Sequence, residues 1–277
     1  MISITSRLSL VSYRVKVEVK FFGEFEVLSG GVALLVRGAK QRAILAFLVL
    51  NRGVPVSADR LIDQLWGDRQ TAKPTNALQA QIAQLRRVIG ASAIVTSESG
   101  YAIDMSSVDL DTVRFENLVA EGCRLRSEGE VARASAILAD ALRLRRGEPL
   151  SEFVYVTFAD AERVRLNELA LVATEYRIEA DLELGLHSDV VGELRALCRD
   201  HPLRERLWEL LMMALYRAGR QAEALRAYAE VRDRLIDELG VDPGSSLREL
   251  ETRVLDQDPT LVATQPLASH MPASPSM

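Results

Sequence analysis

The C-terminal half of the chain repeats a helical pattern with a period of 34 residues, the distance from Gly185 to Gly219. The register between the two units pairs small and apolar side chains: Val190 with Ala224, Leu194 with Tyr228, and Leu197 with Val231. A similar turn at 127–130 precedes another helical stretch. A repeat of this size cannot bury its apolar face alone, so neighbouring repeats stack. The period therefore predicts stacked helix pairs over residues 108–257.

A period of 34 residues is typical of the tetratricopeptide repeat. Five side chains of the second unit fall near its characteristic Trp, Leu, small, Ala and aromatic positions: Trp208, Leu211, Met212, Ala224 and Tyr228. We therefore expect an all-α, tetratricopeptide-like domain. Four aromatic residues lie in apolar helical stripes and are expected in the core, not on a ligand platform: Trp66, Trp208, Tyr216 and Tyr228.

Residues 15–107 show a different order of elements, with strands before and after three helices. Strand-like runs lie near 15–22, 25–28 and 33–36, and helical patterns follow near 40–51, 57–66 and 75–90. Ser57 is the expected N-cap of the second helix, and an alternating stretch at about 93–104 predicts a hairpin. This order is typical of a winged helix-turn-helix. The long loop at 67–74 favours the variant found in response-regulator output domains.

The third of these helices, TNALQAQIAQLRRVIG at residues 75–90, has two contrasting faces. Its apolar residues form one stripe: Leu78, Ile82, Leu85 and Ile89. The opposite face carries amides, small side chains and a guanidinium but no carboxylate, which suits base edges in the DNA major groove. We expect four residues to face bases or the groove: Asn76, Gln79, Ala83 and Arg87. The alternative is an ordinary amphipathic surface helix with solvated arginines.

Further basic and polar residues are candidate DNA-backbone contacts. Arg86 lies nearer the core edge and fits a phosphate contact and a structural role equally well. The first helix opens with three candidates, whose alternative is a solvated first turn: Lys40, Gln41 and Arg42. Lys73 and Thr75, at the start of the third helix, are candidate backbone anchors.

Charge divides the chain in the same way as the patterns do. Residues 1–107 hold 13 Lys and Arg against 8 Asp and Glu, a balance of +5, and the remainder holds 21 against 31, a balance of −10. Such asymmetry indicates a basic binding module joined to an acidic partner module. We expect an N-terminal tail at 1–14 and a domain boundary between Asp104 and Asp109, with a helical region beginning at 109–111. We also expect a disordered tail at 258–277, because the residues from Pro259 onward include four prolines and no Asp, Glu, Lys or Arg.

Other functional classes find little support in the sequence. Cys123 and Cys198 have no ligand spacing near them and are expected to be buried thiols. The three histidines, His187, His201 and His270, show no metal-ligand spacing. No Ser/His/Asp or paired-carboxylate arrangement indicates catalysis, so we predict a non-enzyme without cofactor or metal. The sequence has no apolar run long enough for a membrane span and no signal peptide, so we expect a cytoplasmic protein with no membrane partner.

Several segments, in this order, resemble the Streptomyces antibiotic regulatory proteins, a family of actinobacterial transcription activators. They are KQRAILAFLVLNRGVPVSADRLIDQLWGD at 40–68, NALQAQIAQLRRVIG with GYAI, RGEPLSEF at 146–153, and residues 201–251. The resemblance implies a winged-helix DNA-binding domain followed by a bacterial transcriptional activation domain. It also implies binding to direct repeats near promoter −35 regions as a homodimer on DNA, and recruitment of RNA polymerase holoenzyme through its sigma factor. The controlled genes would form an antibiotic biosynthetic cluster.

The resemblance implies a role for one more residue, and this chain departs from the family pattern at two places. Arg69 lies in the loop that related domains offer to polymerase, so it is a candidate sigma-factor contact. The wing carries Ser97, Glu98 and Ser99 where the family often has Arg or Pro, which weakens the expectation of a wing contact to the minor groove. Arg145 stands where the family tends to have Trp. The chain has no GxxxxGK[ST] phosphate loop and resembles the small members, without ATP control.

A competing hypothesis is a protein-interaction adaptor. In that case the repeats hold a peptide or a small effector, and the winged helix serves as a docking surface. A hybrid, in which an effector in the helical groove regulates DNA binding, is also compatible with the sequence.

Overall fold

The first strands of the described residues form a small sheet. The structure is a computed structural model that describes residues 16–66, 73–154 and 156–262. Strand β1 (Val17–Lys20) pairs with β2 (Glu26–Ser29), and β2 with β3 (Val32–Ala33), all antiparallel. Strand β1 lies within its predicted run, whereas β2 ends one residue later than predicted and β3 begins one residue earlier. A fourth strand, β6 (Val108–Leu110), pairs parallel to β1.

Strand β6 immediately precedes the helical region, which begins within the predicted residues 109–111. Helix α4 (Asp111–Ser127) begins at Asp111, and Asp109 lies in the strand before it. Three residues are too few to give a periodic signal, and their partners on β1 are about 90 residues away, so the pairing was not visible locally. Both oxygens of the buried Asp111 carboxylate accept hydrogen bonds from the backbone N–H of Phe21 at 2.9 Å. Burial raises the pKa of Asp111 despite these bonds.

Three helices follow β3, as predicted. Helix α1 (Ala39–Leu50) buries seven consecutive residues, Ala43 to Val49, because other elements cover it on several sides. Helix α2 (Ala58–Trp66) is capped at Ser57, whose Oγ accepts the backbone N–H of Arg60 at 3.2 Å. Helix α3 (Pro74–Ile89) packs against both α1 and α2.

A two-stranded wing follows the three helices and confirms the predicted hairpin. Strands β4 (Ile94–Ser97) and β5 (Gly100–Ile103) pair antiparallel around a two-residue turn. Val56 bridges to Tyr101 through backbone hydrogen bonds of 2.8 and 2.9 Å. Gly100 has φ +129°, and a Cβ there would lie 2.0 Å from the carbonyl oxygen of Val56, so only glycine fits.

The rest of the described chain is helical. After α4 come α5 (Val131–Arg143), α6 (Thr157–Glu183), α7 (His187–Asp200), α8 (Glu205–Arg217), α9 (Gln221–Leu239) and α10 (Ser245–Leu255). The predicted turns at Gly129, Gly185 and Gly219 all have positive φ. Each closes with the same bond from the residue after the glycine to a carbonyl five residues earlier: Glu130 to Leu125, Leu186 to Asp181, and Arg220 to Leu215, at 2.8 to 2.9 Å. This shared helix end confirms the repeated helix pairs.

The chain divides into two compact units. One comprises the described residues within Met1–Asn117 and Arg143–Leu169, and the other those within Leu118–Leu142 and Ala170–Met277. Each has its own apolar core. As predicted, three aromatic residues are buried and the fourth, half-buried, packs against the second core: Trp66, Trp208, Tyr228 and Tyr216 respectively.

Two expectations need correction. Cys198 is buried, but Cys123 is only half-buried because it lines a surface depression beside Tyr176. Residues 258–262, assigned from the sequence to the disordered tail, are folded: Pro259–Leu261 form a short 3-10 helix, and Leu261 is 1 % exposed. The apolar side chain of Leu261 finds a place in the second core, a contact that composition does not reveal. The predicted tails at 1–14 and 263–277 lie outside the described residues.

Candidate nucleic-acid interface

Helix α3 presents the two faces that its sequence predicts. Its apolar stripe is buried, with Leu78 and Leu85 fully inaccessible. The opposite side is exposed at all four candidate base-facing positions: Asn76, Gln79, Ala83 and Arg87. The core therefore fixes the helix by one side and leaves a carboxylate-free surface of amides, small side chains and one guanidinium. Contact of these residues with DNA remains a prediction.

The two neighbouring arginines of α3 have different surroundings. The Arg86 guanidinium donates hydrogen bonds to the carbonyl oxygen of Ile94 from Nε at 3.0 Å and from Nη2 at 2.8 Å. Its Nη2 also donates to Thr96 Oγ1 at 2.7 Å. Arg87 is exposed, and its guanidinium donates no hydrogen bond within the described chain. This geometry favours the structural alternative for Arg86, which joins α3 to the wing, and leaves Arg87 exposed on the opposite face.

The three candidate phosphate contacts at the start of α1 differ in their exposure and in their bonding partners. Lys40 is exposed, with Nζ 4.6 Å from the centroid of the Trp66 ring. Gln41 donates its side-chain N–H to the amide oxygen of Gln84 on α3. Arg42 donates to the carbonyl oxygen of Phe25 at 2.8 Å and forms an ion pair with Glu152. Lys40 is therefore the best placed of the three for a phosphate.

The first turn of α3 offers backbone donors. Pro74 occupies the first helical position, and the first helical bond runs from Ala77 N–H to the Lys73 carbonyl oxygen at 3.2 Å. The amides of Thr75 and Asn76 thus lack a helical acceptor. Lys73 and Thr75 are both exposed, so a cation and two N–H groups lie where an anion would be stabilised. Arg69 lies outside the described residues.

The wing tip offers little to a phosphate. Ser97, Glu98 and Ser99 are exposed, and the two serine hydroxyls bond each other at 2.9 Å. Strands β4 and β5 contain no Lys or Arg. The carboxylate of Glu98 is thus the only charge on the hairpin, as the sequence indicated.

The structure adds one basic residue to the candidate DNA contacts predicted from the sequence. Arg60, in the first turn of α2, is exposed, and its guanidinium carbon lies 5.4 Å from the centroid of the Phe47 ring. The sequence could have indicated this residue, because Arg60 lies three residues after the predicted N-cap Ser57 and therefore in the first turn of a helix. Over the described ranges, no group of three or more His, Cys, Asp or Glu residues is arranged to hold a metal ion, and no helix is long and apolar enough to cross a membrane.

Comparison with known proteins assigns both halves of the chain. Residues 35–103 match the family model described as "Transcriptional regulatory protein, C terminal", and residues 110–255 match "Bacterial transcriptional activator domain". The regulatory protein DnrI of Streptomyces peucetius is 34% identical over 271 residues, covering 94% of this chain and 98% of DnrI. This chain belongs to the Streptomyces antibiotic regulatory proteins. Members of this family are transcriptional regulators.

Two further relatives are longer than this chain. The regulatory protein AfsR of Streptomyces coelicolor is 43% identical over 232 residues, which are 83% of this chain but 23% of AfsR. The chain thus spans about a quarter of AfsR. The solved structure "Mycobacterium tuberculosis EmbR in complex with low affinity phosphopeptide" matches with a TM-score of 0.83 at 32% identity, covering 92% of this chain and 67% of that one. These matches confirm the predicted fold class, a winged helix followed by a helical activator domain.

Proposed function

We propose that this antibiotic regulatory protein activates transcription by inserting α3 into the DNA major groove at direct repeats near promoter −35 regions. Two protomers bind side by side, and RNA polymerase holoenzyme is recruited through its sigma factor to a secondary-metabolite cluster. The carboxylate-free exposed face of α3 is the observation that carries the DNA-binding part of this proposal. The polymerase and target-gene parts rest on family membership.

The side chains on this face match the chemistry of base edges. Arg87 bonds the O6 and N7 acceptors of guanine, and Asn76 and Gln79 bond adenine in bidentate fashion. Ala83 allows close approach and contact with a thymine methyl group. Arg86 serves the site indirectly, because its bonds to Ile94 and Thr96 fix the wing against α3.

Phosphate contacts position this helix on the duplex. Lys40, Lys73 and the first-turn amide of Thr75 are the proposed contacts, with Arg60 as an addition from the structure. Gln41 and Arg42, which have protein partners, would reach phosphate only by giving these up. Glu98 leaves the wing without a favourable charge, so α3 carries most of the sequence reading. One such helix reads few base pairs, which is why a second protomer is required.

A salt-dependent binding titration tests the DNA-binding part. The full chain is titrated against a promoter fragment with tandem repeats, and against the same fragment with the repeats scrambled. We expect preferential binding to the repeats, and a logarithmic salt slope of about −0.9 for each phosphate neutralised. Equal affinity for both duplexes refutes sequence-specific recognition. A folded chain that binds no duplex at low salt, but retains a protein partner, instead establishes the adaptor function.

Transcription in a purified system tests recruitment. With RNA polymerase holoenzyme on the repeat-containing promoter, transcript yield should rise with the added chain. Arg69→Ala should lower that yield without changing DNA affinity if this residue contacts the sigma factor. An unchanged yield removes Arg69 from the proposal.

A further inference from the structure

A groove runs along α8, between α7 and α9 of the second unit. Its volume is about 510 Å³, within the range of pockets for small organic ligands. The floor consists of buried apolar side chains: Cys198, Trp208, Leu211, Leu215 and Ala227. Trp208 and Leu215 are two helical turns apart, so the floor is about 10 Å long.

The floor offers no polar group to a ligand. The indole N–H of Trp208 already donates to the carbonyl oxygen of Pro202 at 2.9 Å. Burial raises the pKa of the Cys198 thiol to about 12, so the thiol is neutral near pH 7. An apolar or aromatic body therefore suits this surface.

The rim of the groove carries a surplus of positive charge. It contains four arginines and two glutamates: Arg195, Arg199, Arg226, Arg234, Glu223 and Glu230. Both glutamates are paired, Glu223 with Arg195 at 2.6 Å and Glu230 with Arg234 at 2.9 Å. Two positive charges, on Arg199 and Arg226, remain in excess.

These two arginines have weak carboxylate partners or none. Arg226 is exposed, and within the described ranges no carboxylate lies at ion-pair distance from it. Among the described residues, the one carboxylate near Arg199 is that of its neighbour Asp200, at 3.8 Å, and both side chains are largely exposed. Such a pair contributes little. The local surplus is notable because residues 108–277 carry a net charge of −10.

We propose that this groove binds a small amphipathic anion. Its apolar or aromatic body, about 10 Å long, lies on the α8 floor, and its carboxylate, sulfonate or phosphate meets Arg199 and Arg226. An extended peptide would place only about three residues on a floor of this length, whereas a fused-ring or short acyl ligand would cover it. The site lies wholly within the second unit and does not depend on DNA binding.

Two fluorescent probes test the site in the full chain without DNA. The first is 8-anilinonaphthalene-1-sulfonate, and the second is N-phenyl-1-naphthylamine, which has the same ring body without the sulfonate. We expect one saturable site for the anionic probe, weakened about tenfold in the double variant Arg199→Gln/Arg226→Gln by loss of charge-assisted bonds. The uncharged probe should bind more weakly, with equal affinity for both proteins. Arg248→Gln, an exposed change on α10 outside the groove, is the matched control and should alter neither probe.

Three results overturn the proposal: no saturable binding of the anionic probe, equal binding of that probe by the native chain and the double variant, or tighter binding of the uncharged probe. Circular dichroism establishes that each variant is folded. If the double variant is not, the two single variants are titrated and should each weaken only the anionic probe.

Discussion

Substitution of the adjacent arginines of α3 should separate stability from DNA recognition. Arg86→Ala removes three hydrogen bonds that join the helix to the wing. Arg87→Ala removes an exposed side chain that forms no hydrogen bond within the described chain. We expect the first change to destabilise the N-terminal unit and the second to weaken specific DNA binding.

The magnitudes follow from the two environments. A hydrogen bond from a charged donor contributes about 1.5 to 3 kcal/mol, but Arg86 is half-exposed, so water replaces part of what is lost. We expect Arg86→Ala to lower the free energy of unfolding by about 1 to 3 kcal/mol. Arg87→Ala should change stability by less than about 0.5 kcal/mol. Loss of one base contact should weaken specific binding by about 1 to 3 kcal/mol, roughly fivefold to 150-fold.

Two measurements on the same preparations test this separation. Urea denaturation followed by circular dichroism gives the free energy of unfolding for each variant. Fluorescence anisotropy, at one fixed salt concentration, gives the affinity for repeat-containing and scrambled duplexes. Arg87→Ala should affect the repeat-containing duplex more than the scrambled one, because a base contact carries sequence information and a phosphate contact does not.

The opposite pattern would refute the assignment. If Arg86→Ala leaves stability unchanged but abolishes preference for the repeats, Arg86 faces the DNA and its bonds to the wing are incidental. If Arg87→Ala leaves both affinity and footprint unchanged, Arg87 is a solvated surface residue.

Three further predictions concern the wing and the thiols. Gly100→Ala should lower the free energy of unfolding by about 2 kcal/mol or more, because its Cβ would collide with backbone and its φ is +129°. Gly90→Ala, at φ +103° with open space around it, should lower the free energy of unfolding by less, as measured by urea denaturation. In the native chain at pH 8, maleimide should modify half-buried Cys123 before buried Cys198, whose pKa is raised to about 12. Mass spectrometry that shows the reverse order would contradict this prediction. Raising the pH should speed the reaction at Cys123, because burial raises the pKa of this thiol too. Glu98→Gln should tighten binding to any duplex by about twofold to fivefold through loss of like-charge repulsion; weaker binding in the anisotropy assay would show that Glu98 makes a favourable contact.

Local patterns were sufficient to predict much of this fold. The stripe of α3 repeats over about three turns. The 34-residue period places Gly185 and Gly219 in matching turns, and both have positive φ. Helix ends and the hairpin also have local causes, such as the Ser57 cap and the Ser-Glu-Ser-Gly turn. Each of these signals depends on residues close together in sequence, so a single chain displays them.

Other features depend on contacts between distant residues. Strand β6 exists because Val108–Leu110 pair with β1, and Leu261 is ordered because the second core accepts it. Arg42 fits a phosphate contact by its sequence position, but in the fold it forms an ion pair with Glu152, 110 residues away. The groove beside α8 likewise combines arginines from α7 and α9 with a floor to which all three helices contribute.

The sequence by itself determined the two-part architecture and the polar face of α3, since periodicity and charge act locally along the chain. Only the tertiary structure decided which cations remain available to a ligand. Arg86 and Arg87 are adjacent and chemically identical, and packing of the wing against α3 gives protein partners to the first and leaves the second exposed. A hydrogen bond depends on distance in space, and folding alone brings Ile94 and Thr96 to within bonding distance of Arg86.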